Sequence, residues 1–211
     1  MGEDAANDFP PGSVVGADRR GPSLWRSHWG VGRSPRGDFS AIAAGLRPDR
    51  FHDLQAFWDS GIPWPCPMAL EVRHRRWFDP AAGDRLDAWL QSRGVTRAIL
   101  DSRPIYDGET VPQLRPKPQL PLHIAATAKA IVVRYVSHPE GDRNEPYLRE
   151  WVQRLQDWYR QQKQVYFFVH CPIEGRSPDN AQRLQTLLHQ VGLDGKIAGG
   201  AFPNTTQLSL F

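Results

Sequence analysis

The feature that most limits the folds open to this chain is an alternation, from residue 48 onward, of short apolar runs with longer stretches whose apolar residues recur every three to four positions. Such alternation predicts parallel strands covered by helices, because a parallel strand is reached only by a crossover long enough to hold a helix. Phe51, Leu54, Phe57 and Trp58 fall at helical spacing between Pro48-Asp49 as a start signal and Gly61-Ile62-Pro63 as a stop. Residues 68–74 read as a strand, and residues 84–92, with Leu86, Trp89 and Leu90 on one face, as the helix after it, ended by Gly94. A second strand over 96–102 leads into a proline-rich connection, 103–121, longer than most loops in compact domains. A third strand over 129–136 precedes a helix over 145–161 that carries Leu148, Trp151, Val152, Leu155 and Trp158 as an apolar stripe. Residues 165–170 form a fourth strand, and 180–191, with Leu184, Leu187, Leu188 and Val191, a last helix. Four such βα units fit either an open doubly wound sheet or part of a (β/α)8 barrel, and periodicity does not choose between them. No glycine-rich dinucleotide or phosphate-loop fingerprint follows any of the strands.

Residues 1–47 differ in character. They are rich in Gly, Pro, Arg and Asp and show neither periodicity over a useful length, so they are expected to form a poorly ordered segment ahead of a domain spanning 48–211. The charge balance, 26 basic against 23 acidic residues, describes a mildly basic surface with its arginines scattered. No stretch reaches the 18 or so apolar residues that a membrane helix needs. Arg19-Arg20 is followed by Gly21-Pro22-Ser23 where an export signal would need an apolar run, and Cys66 and Cys171 belong to no CxxC pair. The expectation is a cytoplasmic protein with free thiols.

Charged side chains gather at the C-terminal ends of the strands. Within Ala69-Leu70-Glu71-Val72-Arg73 the residues Glu71 and Arg73 share one face, and Asp101, Arg134 and His170 close the three later strands. In a barrel these five would converge on the mouth where active sites sit. Burying one unpaired ion costs several kcal/mol, so they must pair with each other or bind something. Arginines offer forked donors suited to phosphate or carboxylate, while Glu71, Asp101 and His170 are candidates for proton transfer. His74, next to Arg73, is a further candidate ligand contact. A metal held by Glu71, Asp101 and His74 or His170 is conceivable by ligand type, but the arginines would repel it, and no metal is expected. Trp77 is read as packing under the next helix, and the His170-Cys171 pair carries no sign of an activated nucleophile.

Four segments, Leu70-Glu71-Val72-Arg73-His74, Ile99-Leu100-Asp101-Ser102-Arg103-Pro104, Val132-Val133-Arg134-Tyr135 and Val165-Tyr166-Phe167-Phe168-Val169-His170, occur in the order and spacing of the YecE-like family, also called domain of unknown function 72. The similarity runs from about Pro48 to the closing Gln207-Leu208-Ser209-Leu210-Phe211. The resemblance implies a TIM-like barrel with a polar pocket at the strand C-termini, and it places Glu71, Arg73, His74, Asp101 and Arg134 at recurrent motif positions. It implies no reaction and no cofactor. Two positions depart from many members: His170-Cys171 stands where they have Asn-Asn, and Val136-Ser137 where they have His-Gly.

Family members begin with further strands that have no counterpart recognisable in the first 47 residues. The chain is therefore expected to hold about four C-terminal βα units, a partial barrel, truncated and inactive or self-associating through its open sheet edges. The function expected of the family is to bind, or act on, a small anionic ligand such as a phosphorylated metabolite at Glu71, Arg73, His74, Asp101, Arg134 and His170. The rivals are a nucleic-acid-associated protein using Arg75, Arg76, Arg97 and Arg103, and a non-catalytic remnant with no ligand.

Overall fold

The computed structural model describes residues 29–33, 40–44, 46–60, 67–108, 111 and 117–193. Arg19-Arg20, Cys66 and the closing Gln207–Phe211, which figured above, lie outside them.

Two strands, β1 (Trp29–Arg33) and β2 (Ser40–Ala44), stand in a region whose sequence pattern predicts none. The reason is compositional. Gly30 and Gly32 alternate through β1, and β2 consists of Ser, Ala and a single Ile, so neither carries the β-branched alternation by which a strand is recognised. They pair antiparallel, and β2 then pairs parallel with β3 (Met68–Val72).

The remaining strands run in chain order. α1 (Phe51–Asp59) precedes β3, and α2 (Pro80–Ser92) follows it. β4 (Thr96–Arg97) pairs parallel with β3, while β5 (Ile99–Asp101) pairs parallel with β6 (Ala130–Val136). Only Ala98 separates β4 from β5, and its amide still donates to the Leu70 carbonyl at 2.8 Å. Residues 96–101 are thus one run of chain that faces β3 with its first half and β6 with its second. The last strand, β7 (Gln164–His170), pairs parallel with β6 along its whole length. α3 (Glu145–Arg160) joins β6 to β7, and α4 (Ser177–Gln190) follows β7. A doubly wound sheet reverses strand order at a switch point; the described strands, β1-β2-β3-β4 and β5-β6-β7, contain no reversal. Nor do they close into a barrel.

Register across the sheet defines two faces. Leu70 and Val72 of β3 pack with Phe51, Leu54, Trp77, Leu86 and Leu90, and Ile99, Ile131, Val133 and Tyr135 pack with Leu148, Trp151, Val152, Leu155 and Leu184. This is the helix face. Each fully buried large apolar side chain there contributes roughly 1.5–3 kcal/mol. The other face carries Ala69, Ala98 and Val132, with Tyr166 and Phe168 against them.

Both later helices start earlier than their apolar stripes suggest. α2 begins at Pro80 and α4 at Ser177, each with a proline in its first turn, where the missing N–H is no loss. The apolar period becomes visible only about two turns later, at Leu86 and Leu184. Trp77 is fully buried and its indole N–H donates to the Leu46 carbonyl at 2.7 Å, in agreement with a packing role. No helix among the described residues is long and apolar enough to cross a membrane.

Candidate functional site

Glu71 is the anchor of the face opposite the helices. It sits near the end of β3 on the Ala69 side, and only 5% of its surface is exposed. Its carboxylate accepts from Arg73 Nε at 2.7 Å and from Arg134 Nη1 at 3.1 and 3.3 Å. Burial by itself would raise the Glu71 carboxyl, but the Arg134 and Arg73 guanidiniums outweigh it and hold the group below its ordinary range. Arg134 belongs to β6, so its side chain crosses above the 96–101 strand to reach β3, a span of ~10 Å at normal strand spacing. Leu100, Arg134 and Phe168 stand side by side across β5, β6 and β7, which fixes this face for all three strands.

His170 ends β7 on the same face, paired in register with Val136. Partial burial, together with the positive charges of Lys117 and Arg134, pushes its imidazole down to about 4. Among the described residues no side chain hydrogen-bonds the His170 ring; its backbone carbonyl accepts from Ser137 N and Oγ at 2.7 and 3.0 Å. The ring is therefore neutral at pH 7. Two guanidiniums, Arg73 and Arg134, share the one carboxylate of Glu71.

Asp101 is placed elsewhere. Its register partner is Tyr135, on the helix face, whereas Leu100 takes the face of Glu71. The buried carboxylate accepts from Arg103 N, Nε and Nη2 at 3.1, 2.9 and 2.9 Å and from the Trp151 indole at 2.8 Å. Arg103 continues to Glu150 at 2.8 Å, and these carboxylates raise its already high pKa against the opposing effect of burial. Asp101 is thus internally satisfied and separated from the Glu71 cluster by the sheet. His74 also stands apart in role: its Nδ1 accepts the Arg76 amide at 3.3 Å and caps the short turn Arg75–Phe78. Six candidate residues accordingly divide into a cluster of Glu71, Arg73, Arg134 and His170, a strut at Asp101, and a turn cap at His74.

Pattern reading passed over two further groups. Lys117 lies in the connection between β5 and β6 and joins the cluster only through tertiary approach. Behind the ends of β6 and β7, Asn144 and Asn180 are buried, with Asn144 Nδ2 donating to the His138 carbonyl at 2.9 Å and Asn180 Nδ2 to Ser137 Oγ at 2.9 Å. This network holds the chain that follows Arg134 against the chain that follows His170. Cys171 is fully buried, and burial pushes its thiol up against the lowering effects of the Ile173 backbone, Ser137 and Arg176, so a thiolate is disfavoured. Among the described residues no three His, Cys, Asp or Glu side chains gather as metal ligands do.

Of the four arginines invoked for nucleic acid, two are committed inside the molecule. Arg97 is buried among Asp87, His123 and the Trp77 carbonyl at 2.6, 3.1 and 3.1 Å, and Arg103 holds Asp101. Only Arg75 and Arg76 remain exposed for phosphates.

The family described as "Protein of unknown function DUF72" matches residues 42–200, beginning inside β2 and ahead of Pro48. This chain belongs to the DUF72 family. The UPF0759 protein YecE of Escherichia coli strain K12 is 30% identical over 135 residues, covering 60% of this chain and 49% of that protein. The protein of the same name from E. coli O157:H7 is 29% identical over the same shares. The chain thus spans about half the length of the curated relatives it matches. Among solved structures, a DUF72 family protein from Enterococcus faecalis V583 superposes with a TM-score of 0.52 at 15% identity, covering 71% of this chain and 60% of that one. At that identity the likeness concerns the fold alone, and it agrees with the mixed α/β architecture with parallel strands described above.

Proposed function

We propose that this DUF72 chain is a section of a (β/α) barrel that binds, or acts on, a small anionic ligand at the C-terminal ends of its strands. The arrangement of the strands supports the barrel reading. Parallel strands in chain order, with helices on one face, are what a singly wound barrel provides, and active sites of such barrels lie at the strand C-termini. β7 pairs only with β6 among the described residues, so its far side is a surface for further strands or for a second copy.

The observation that carries the ligand reading is the single Glu71 carboxylate shared by two guanidiniums, those of Arg73 and Arg134. Forked guanidiniums recognise phosphate or carboxylate oxygens two at a time. Neutral His170 is the group suited to accept a proton there, and Glu71, flanked by two cations, stays ionised and orients the arginines. Asp101 and His74 serve the site from outside, as a strut and as a turn cap.

Titration calorimetry with inorganic pyrophosphate tests the reading. Removing one charged donor costs about 1.5–3 kcal/mol, so Arg134→Ala is expected to weaken binding by about ten- to a hundredfold. Glu71→Gln, which frees both guanidiniums, is expected to tighten it. Binding indifferent to both substitutions would refute the assignment.

A further inference from the structure

A cleft of about 280 Å³ opens at the C-terminal end of β5, between the two described arms of the β5–β6 connection and the first turn of α3. Connections of this length in compact domains are commonly binding loops. The arm leaving β5 supplies Arg103, Tyr106 and Asp107, the returning arm Gln119 and Leu120, and α3 Tyr147. Glu71, Arg73, Arg134 and His170 take no part in the lining.

Hydrogen bonds hold the wall in place. The Tyr147 hydroxyl donates to Asp107 Oδ2 at 2.7 Å, and Arg143 Nη1 donates to the Asp107 carbonyl at 3.2 Å. Partial burial, with the bond to Asp107, pushes the Tyr147 hydroxyl up to about 12, so the group keeps its proton. The Tyr106 hydroxyl donates to the Lys117 carbonyl and so joins the two arms. Arg103, its guanidinium 5.2 Å from the centre of the Tyr147 ring, gives one N–H each from Nε, Nη1 and Nη2 to Asp101 and Glu150. A guanidinium has five N–H groups, so two remain. Asp107 Oδ1 and the exposed Gln119 amide take part in no hydrogen bond among the described residues.

We propose that this cleft binds a neutral polyhydroxylated ring, the size of one pyranose sugar. Spare donors on Arg103 and Gln119 stand alongside spare acceptors on Asp107 and Gln119, and the hydroxyl is the common group that answers both. Tyr106, Tyr147 and Leu120 offer apolar surface to the C–H groups of such a ring. A cation entering the cleft would face Arg103, and an anion would face Asp107. The volume falls just below the ~300–1,000 Å³ of sites for drug-sized ligands, which limits the occupant to a single ring. A ligand of about a dozen heavy atoms in an open cleft binds weakly, with a Kd of roughly millimolar order.

Saturation-transfer NMR on the whole chain reads binding in that range, with D-glucose, D-galactose, D-mannose and D-xylose as probes. At least one of the four is expected to bind saturably. D107N keeps an oxygen for the Tyr147 hydroxyl but turns the free acceptor into a donor, and it is expected to weaken that sugar about tenfold. Q119A is expected to weaken it about threefold. Both side chains are exposed, so neither substitution removes a buried contact. R134A, which alters the anion site, leaves sugar affinity unchanged. Binding of none of the four sugars, or binding indifferent to both D107N and Q119A, would overturn the proposal. So would uptake of tetramethylammonium in their place, since the cleft would then be a cation site.

Discussion

A carboxylate without access to water needs a donor for each lone pair, and Asp101 finds them in Arg103 N, Nε and Nη2 and in the Trp151 indole. Removing its charge leaves Arg103 with only the half-exposed Glu150. Breaking a buried ion pair costs 3–5 kcal/mol, and the partial exposure of Arg103 favours the lower figure. Asp101→Asn should therefore destabilise the fold by about 3 kcal/mol in urea unfolding while leaving pyrophosphate affinity unchanged in the folded fraction. The sequence names Asp101 as a charged strand end but hides which way it faces. Ile99-Leu100-Asp101 has apolar residues on both faces, so alternation within the strand says nothing, and only the register with Tyr135 of β6 decides. Glu71 and Arg73 were legible together for the opposite reason, since both lie on one short strand and its extension. Lys117 as a neighbour of His170 depends on an approach between distant segments that no local pattern records, whereas the cap by His74 is local, two residues from the amide it accepts, and escaped notice because histidine is not among the usual cap residues.

At the scale of elements, the apolar stripes of α2, α3 and α4 name most of the buried residues, because an amphipathic helix encodes its own orientation; Val191, read on the last stripe, instead follows the end of α4 and is exposed. Their ends are set by turn chemistry. α2 gives way to Gly94, which adopts φ +63° and has open space where a Cβ would stand. The cost of a side chain there is purely one of backbone conformation, so Gly94→Ala is expected to lower stability by about 1 kcal/mol, read as a shift in urea midpoint without change of slope. β1 and β2 escaped sequence reading because glycine and alanine carry no strand signature of their own; they are strands because β3 offers β2 an edge to pair with.

Over the whole molecule, the βα alternation announced parallel strands covered by helices without choosing between a doubly wound sheet and part of a barrel, and the observed order follows the chain without reversal. What alternation does not encode is how far the sheet curves, or what stands beyond its last strand. β6 has neighbours on both sides, whereas β7 pairs with β6 alone among the described residues. Hydrogen exchange should accordingly find the Val133–Tyr135 amides of β6 uniformly slow and alternate amides of β7 markedly faster. Equal protection along β7 would reveal a cover on its far side, by other residues of the chain or by a second copy.

The bond from Arg134 to Glu71 also bears on which ions the protein ignores. Its guanidiniums are already answered by an internal carboxylate, so an arriving ion has to outcompete a built-in rival fixed at 2.7 Å from Arg73. On the proposed anion reading, chloride, singly charged and spherical, is expected to lose that contest, and a doubly charged oxyanion, which can accept from both prongs of a guanidinium, to win it.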